Sequence, residues 1–258
     1  MMSHHGFLGV PVETFEQAGR EQLIALLGAG ISPESKLLEL GCGCLRIASW
    51  LVRFLDARCY YGVEPARRRV EFGLEYLFEA DDVRIKQPQF DFNASFDSST
   101  FGVQFDFFLA RSIWTHASKA QIETMLDGFL RDSVPTGAFL ASYFPTESTD
   151  AGYQAFLAAN FPPQAGDGYD GDRWVGTSHE SDTPGVVQHS LRWILQQCRR
   201  RNLRVTELPG VDCDSQLWLR IERALSRSPG SQSQPRSRAM RAASVRLEPP
   251  TLPIASLK

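Results

Sequence analysis

The run KLLELGCGCLR, Lys36 to Arg46, changes character twice. Lys36-Leu37-Leu38-Glu39-Leu40 is apolar apart from one acid near its end, and it reads as a short, fully buried strand. Gly41-Cys42-Gly43-Cys44 is a tight turn in which two glycines leave room for something to approach the backbone. From Leu45 onward the spacing is helical, with Leu45, Ala48, Leu51, Val52 and Leu55 on one face. A strand, a glycine turn and a helix N-terminus, in that order, predict a ligand site at the carboxyl edge of a parallel sheet.

The charges narrow the ligand. A dinucleotide turn has the form G-x-G-x-x-G, in which the third glycine lets helix and strand pack closely. Here that position holds Arg46, and Glu39 lies two residues before the first glycine. A carboxylate there repels a pyrophosphate but accepts hydrogen bonds from an ammonium group. Both residues argue against an NAD(P)-dependent reductase. Glu39, Gly41 and Gly43 match the acidic-x-G-x-G-x-G motif of the class I S-adenosylmethionine-dependent methyltransferases, which this stretch resembles. Leu45 stands where the last glycine of that motif usually lies. The resemblance implies S-adenosylmethionine as cofactor, held by Glu39, Gly41, Cys42 and Gly43. A glycine turn that binds nothing is the plain alternative.

Residues 58–63 form a second strand, which ends on Glu64-Pro65. Two neighbouring hydroxyls of a ribose can both donate to one carboxylate at such a strand end. In the resembled family this acid binds the ribose, so Glu64 takes that role with Pro65 beside it. A solvated glutamate capping the next helix is the other reading. That helix is expected over 67–78, with Val70, Leu74, Leu77 and Phe78 on its apolar face. Residues 82–87 are expected as a short third strand. The loop after it offers Asp91, Asn93 and Asp97 for the adenine amino group. Asn93 is the choice carried forward, although Asp, Asn and Ser also dominate turns for local reasons.

Residues 104–110 are a buried fourth strand, followed by Arg111-Ser112-Ile113-Trp114-Thr115-His116. An F-D strand, a small residue, a loop and a T-H pair resemble many small-molecule methyltransferases. The resemblance implies that Ala110, Arg111 and Ser112 line the methionine end of the cofactor, with Ile113 or Trp114 near the adenine or the methyl group. Asp106 reads as structural. The ordinary pKa of a histidine side chain lies near neutrality, so His116 is the candidate general base, with a helix cap or a core hydrogen bond as alternatives. Residues 119–131 are an amphipathic helix. Pro135-Thr136-Gly137 then turns into a fifth strand, 138–144, in which Tyr143 is a candidate substrate contact.

Pro145 to Thr183 is rich in Gly, Asp and aromatics and has one helical candidate, 151–160. A long loop over the carboxyl edge of the sheet is expected to act as a lid, with Tyr169 and Trp174 as substrate contacts. A flexible surface insertion is the alternative. A helix is expected from Thr183-Pro184, with Val187, Leu191, Ile194, Leu195 and Cys198 on one face. A sixth strand (203–208) and a seventh (216–220) close the sheet as a reversed hairpin. Glu13 to Gly28 is a helix expected to cover one end of the sheet, with Phe15, Leu23, Leu26 and Leu27 on one side. This assigns 1–222 to a single methyltransferase-like domain, with a covering segment at 13–30 and an insertion at 145–183. Residues 223–258 form a Ser/Pro/Arg-rich basic tail expected to be disordered. The fold class expected is α/β: a Rossmann-like, doubly wound, seven-stranded, mainly parallel sheet with helices on both faces.

The remaining signals are exclusions. The N-terminus has neither a basic start nor an apolar core, so no signal peptide is expected. No transmembrane span is expected. The five cysteines read as reduced side chains of a cytoplasmic protein, and no metal site is expected, because Cys42 and Cys44 have no second pair at zinc spacing. The tail from Arg223 carries seven basic residues and one acid, leaving 20 basic and 29 acidic in the body, a net of −9. That balance weighs against a nucleic-acid substrate. An aromatic D/N-P-P motif is absent after the fourth strand, and so is a Pro-Cys pair. The reading is therefore methyl transfer from S-adenosylmethionine to a small-molecule acceptor by in-line displacement. A protein methyltransferase and a non-catalytic cofactor binder stand as alternatives. The acceptor, the atom methylated and the oligomeric state are not fixed by the sequence.

Overall fold

Every peptide group of a buried strand needs a partner on both sides, and β1 (Leu37–Leu40) finds both. The computed structural model describes residues 15–146, 148, 151–160, 173–174, 187–208 and 216–224. Strand β1 pairs in parallel with β2 (Tyr60–Val63) on one side and β4 (Phe105–Ala110) on the other. Outward from β2 lies β3 (Gln89–Asp91), and outward from β4 lies β5 (Ser133–Pro145), both also parallel. The sheet is completed by β9 (Leu217–Arg223), antiparallel to β5, and by β8 (Leu203–Leu208), antiparallel to β9. Two short strands, β6 (Arg173–Trp174) and β7 (Val187–His189), extend it beside the C-terminal end of β5, giving nine strands among the described residues. Six of the seven expected strands are thus present, with the third replaced by the edge at 89–91, in a doubly wound order that reverses between β1 and β4. In an open α/β sheet such a reversal leaves a ligand crevice outside the carboxyl ends of those two strands.

Helices cover both faces. On one, α5 (Lys119–Asp132) and α7 (Leu191–Arg200) pack Ile122, Met125, Phe129, Ile194 and Cys198 against Leu38, Phe108 and Phe139. The rings of Phe108 and Phe129 meet edge to face at 5.4 Å. The other face is covered by α1 (Phe15–Gly28), α2 (Ala48–Phe54) and α3 (Arg67–Leu77). They bury Leu26, Leu51 and Val70 against Leu37, Leu109 and Leu140. Strand alternation therefore puts Glu39 on the α1/α2 face, two residues from Leu37. Helix α5 starts on a complete capping box, Ser118 with Gln121, which is why the chain turns helical there and not at His116.

The structure departs from the sequence reading at several elements. Residues 82–87 are not a strand: they lie in α4 (Ala80–Lys86), which ends on Gln87 at φ +49. The alternation of Val83 and Ile85 is misleading, since Ile85 is 54% exposed and no residue of α4 is buried. Ion pairing of Arg84 with Asp81 at i, i+3 and the bond from Lys86 Nζ to Leu55 O (2.7 Å) favour the helix. The third strand is the three-residue edge just beyond it. The helix expected from residue 183 begins only at Leu191, because Ser190 caps it and Val187 belongs to β7. Strand β5 starts at Ser133, and the Pro135-Thr136-Gly137 turn survives as a register shift against β4. Helix α2 starts at Ala48, and Leu27 lies 45% exposed on α1. Most of the 145–183 insertion, with Tyr169, lies outside the described residues, as do residues 225–258 of the expected tail, whereas Arg223, assigned to that tail, ends β9. The expected helix at 151–160 is present as α6 (Ala151–Asn160). No helix of the described residues is long and apolar enough to cross a membrane.

Candidate functional site

The glycine turn after β1 requires its glycines for different reasons. Gly41 has φ +72, and a Cβ added there would collide with the side chain of Ile113. Gly43 has φ +51 but faces open space. The third left-handed residue is Leu45, at φ +62, where the resembled motif has glycine. Its side chain is fully buried and seats against Gly73 of α3, where an added Cβ would come within 2.9 Å of Leu45 Cβ. On the far side α1 packs onto the turn through Gly19, whose Cβ would lie 2.9 Å from Arg46 O. The Arg46 guanidinium lies over the Phe15 ring at 5.4 Å, a cation–π contact that fastens the covering helix to the turn.

Glu64, at the tip of β2, joins the two strand ends. It is 3% exposed, and its two oxygens accept from Gly43 N–H and Ala66 N–H, each at 3.0 Å. Each carboxylate oxygen carries two lone pairs, so both keep capacity for a further donor. The alternative of a solvated cap is corrected to this extent: Glu64 does hold Ala66 N–H beside α3, but it is buried. Pro65 lies exposed at the rim next to it.

Glu39 is 5% exposed and accepts from the Tyr60 hydroxyl at 2.6 Å. Burial pushes its carboxyl up to about 8, and the nearby Glu64 adds to the rise; the Tyr60 bond and the charges of Arg46 and Arg111 oppose it. At neutral pH the group is therefore largely uncharged, and a cation placed against it would restore its charge. Tyr60 carries no sequence motif. Its signal is general: a tyrosine buried in a strand seeks a partner for its hydroxyl. Burial, followed by the charges of Glu39 and Glu64, drives the Cys42 thiol well above its ordinary value, so it is packing and not a nucleophile. The thiol fits against Gly62, where a Cβ would lie 2.8 Å from Cys42 Sγ.

The raised carboxyl gives a pH signature. Below its ordinary value of 4.5 Glu39 is protonated in folded and unfolded chains alike; between 4.5 and about 8 only the folded chain holds the proton. Stability therefore falls as pH rises through that window and levels off above it. Between about pH 5 and about pH 8.5, wild type should lose on the order of a few kcal/mol relative to Glu39→Gln. Urea denaturation of both proteins across that range measures it, and parallel profiles would refute it.

The segment after β4 lies directly on this turn. Ala110 is fully buried, Arg111 is 8% exposed and acts on Glu39, and Ile113 covers Gly41. Ser112, at φ +57, donates its N–H to Ser142 Oγ of β5 at 2.8 Å. His116 is half-buried, while His189 is fully buried with Nε2 2.9 Å from Ala117 O. Asp106 accepts from Lys36 N–H at 2.8 Å and is structural, as read.

Three expected contacts are corrected. Trp114 has no exposed surface and packs edge-on to Phe139 at 5.7 Å, on the face opposite Glu39. Tyr143 is likewise fully buried on that face, so neither can meet a substrate in this conformation. Asn93 organises its own loop: Oδ1 accepts from Ser95 N–H (3.1 Å) and Asp97 N–H (2.9 Å), while Nδ2 donates to Asp91 Oδ1 and Asp97 O. Its carbonyl is saturated and cannot also accept from adenine. Asp91 and Asp97 each keep Oδ2 outside these bonds. Trp174 lies in β6, paired with Val187.

No family model matches the sequence. Several solved structures share its architecture. Magnesium protoporphyrin IX methyltransferase from Synechocystis PCC 6803, with bound S-adenosylhomocysteine (SAH), aligns with a TM-score of 0.56 at 15% identity, covering 86% of this chain and 92% of that one. The glycopeptide N-methyltransferase MtfA, complexed with SAH, gives 0.56 at 13% identity over 81% and 90%. An S-adenosylmethionine-dependent methyltransferase from Clostridium acetobutylicum ATCC 824 gives 0.56 at 8% identity over 81% and 92%. At such identities the likeness is one of fold: the chain has the Rossmann-like fold of these enzymes.

Proposed function

We propose that this protein is an S-adenosylmethionine-dependent methyltransferase acting on a small-molecule acceptor. The observation that carries the reading is the Glu64 carboxylate, buried at the switch point and held by amides from both neighbouring strand ends. The residues fit the cofactor. Glu64 has acceptor capacity left for two ribose hydroxyls, and Glu39 is a carboxyl that an ammonium would ionise. Asp91 and Asp97 supply free oxygens for the adenine amino group, a role that Asn93 cannot fill. Cys42, Gly43, Arg111 and Ser112 would complete the wall, and Pro65 its rim; the Ala110 side chain, fully buried on the face of Trp114, could contribute only backbone.

The bound cofactor would supply a methyl group already activated by the sulfonium charge, for in-line displacement by the acceptor. The chain's task is then alignment and exclusion of water. Ile113 and α1 close the turn from two sides. Where the nucleophile carries a proton at neutral pH, we assign His116 to take it, since His189 has one nitrogen bound to Ala117 O and no exposed surface. A cytoplasmic location belongs to the same proposal.

Calorimetric titration with SAH and with NADH tests the proposal. SAH is expected to bind at micromolar affinity or tighter, and NADH not at all. Binding of NADH without SAH would overturn it. Labelled cofactor incubated with fractionated metabolites then identifies the acceptor.

A further inference from the structure

Three side chains beside the glycine turn close a hydrogen-bonded ring. Ser112 N–H donates to Ser142 Oγ at 2.8 Å, Ser142 Oγ donates to Gln216 Oε1 at 2.6 Å, and Gln216 Nε2 donates to Ser112 Oγ. Ser142 is fully buried and Gln216 is 8% exposed, whereas Ser112 is half-buried. The bonds run one way round the ring. The Ser112 backbone N–H can only donate, so Ser142 accepts there, and Ser142 sends its single proton to Gln216 Oε1. The glutamine then presents its oxygen to Ser142 and its amide hydrogens to Ser112. The Ser112 hydroxyl oxygen is thereby an acceptor within the ring, and its own proton is directed out of it.

Registers place the ring at the site. Glu39, Leu109 and Leu140 form one row across β1, β4 and β5. Ser142 lies two residues beyond that row, on the face of Glu39 and at the level of Gly41. The residues flanking Ser112 both reach the turn: Ile113 covers Gly41, and the charge of Arg111 acts on Glu39. An outward proton here, next along the chain to Arg111, suits an anionic oxygen.

We propose that Ser142 and Gln216 make Ser112 a one-way hydrogen-bond donor to the carboxylate at the amino-acid end of the bound cofactor. Gln216 is then a positioning residue, contributed by the final hairpin of the sheet, that acts only through Ser112. This rests on the cofactor reading above, and the test separates the two. SAH carries the amino-acid end; 5′-methylthioadenosine is the same thioether nucleoside without it.

Both nucleosides are titrated calorimetrically into wild type, Ser112→Ala, Gln216→Leu, the double variant and Gln216→Glu, with melting temperatures recorded. Ser112→Ala and Gln216→Leu should each weaken SAH about tenfold, as expected for one hydrogen bond to a charged group, and leave 5′-methylthioadenosine unchanged. The double variant should lose no more than Ser112→Ala alone, since Gln216 acts through that serine. In Gln216→Glu the buried acid, protonated at about pH 5, accepts and donates like the amide and keeps SAH near wild-type affinity. On ionising at higher pH it captures the serine proton and loses SAH relative to wild type at the same pH. Equal losses for both nucleosides, or full SAH affinity in Ser112→Ala, would overturn the proposal while leaving the cofactor reading in place. If wild type binds neither nucleoside, the cofactor reading fails and the proposal with it.

Discussion

Glu64→Ala is expected to weaken SAH binding by about a hundredfold or more while the far-ultraviolet circular dichroism stays that of the wild type. Two ribose hydroxyls donating to one buried carboxylate are worth about 1.5–3 kcal/mol each, and each ~1.4 kcal/mol is a factor of ten in affinity. The loss is compounded by position. Removing the carboxylate also releases Gly43 N–H and Ala66 N–H, so the turn after β1 and the start of α3 lose their common anchor. Glutamine is not a mild replacement here, because its NH2 would face one of two backbone donors. The melting temperature should fall by only a few degrees, since the two freed amides lie at the site mouth and can take up water. Calorimetry returning wild-type affinity would remove Glu64 from the site.

Gly41→Ala has the second-largest effect. Its φ of +72 costs an alanine about 1–2 kcal/mol, and the new methyl overlaps the side chain of Ile113. Ile113 is half-buried and can swing away, but only by leaving its place over the turn. The expected outcome is a stability loss of about 1–3 kcal/mol with SAH binding reduced at least tenfold. Trimming the obstacle in Gly41→Ala/Ile113→Ala should return the steric part of the stability loss and leave the backbone part. Gly43→Ala provides the contrast: its φ is +51, but an added Cβ meets nothing within 4 Å, so only the backbone cost applies. Equal effects at 41 and 43 in urea melts would discredit the steric account.

The backbone of this site was legible in the sequence because its signals are local. Apolar runs marked β1, β2 and β4, the first closed by Gly41, and an acid two residues before that glycine and another at the next strand end marked Glu39 and Glu64. What the sequence hid depends on contacts between distant segments. Tyr60 tunes Glu39 across two strands, and Ser142 and Gln216 meet Ser112 from 30 and 104 residues away. The short edge β3 was displaced in the reading because Val83 and Ile85 alternate like a strand while their neighbours pair like a helix. Trp114 was expected at the ligand because the resembled family places the loop after the fourth strand there; its burial against Phe139 follows from which way the chain turns after Ser112, and no pattern records that. Asn93 failed for the opposite reason, since a turn-forming residue exhausts its amide on the loop that it builds.

Leu45 holds a left-handed backbone with a branched side chain, and the notch that receives it is Gly73 on the facing helix. A leucine buried there contributes about 2 kcal/mol, enough to offset the roughly 1 kcal/mol of its conformation. The curl of the chain between strand and helix is thus cast by α3 and is already set before any guest arrives. Free and occupied forms should superimpose through residues 41–47, and a nucleoside entering this mould has no loop to freeze.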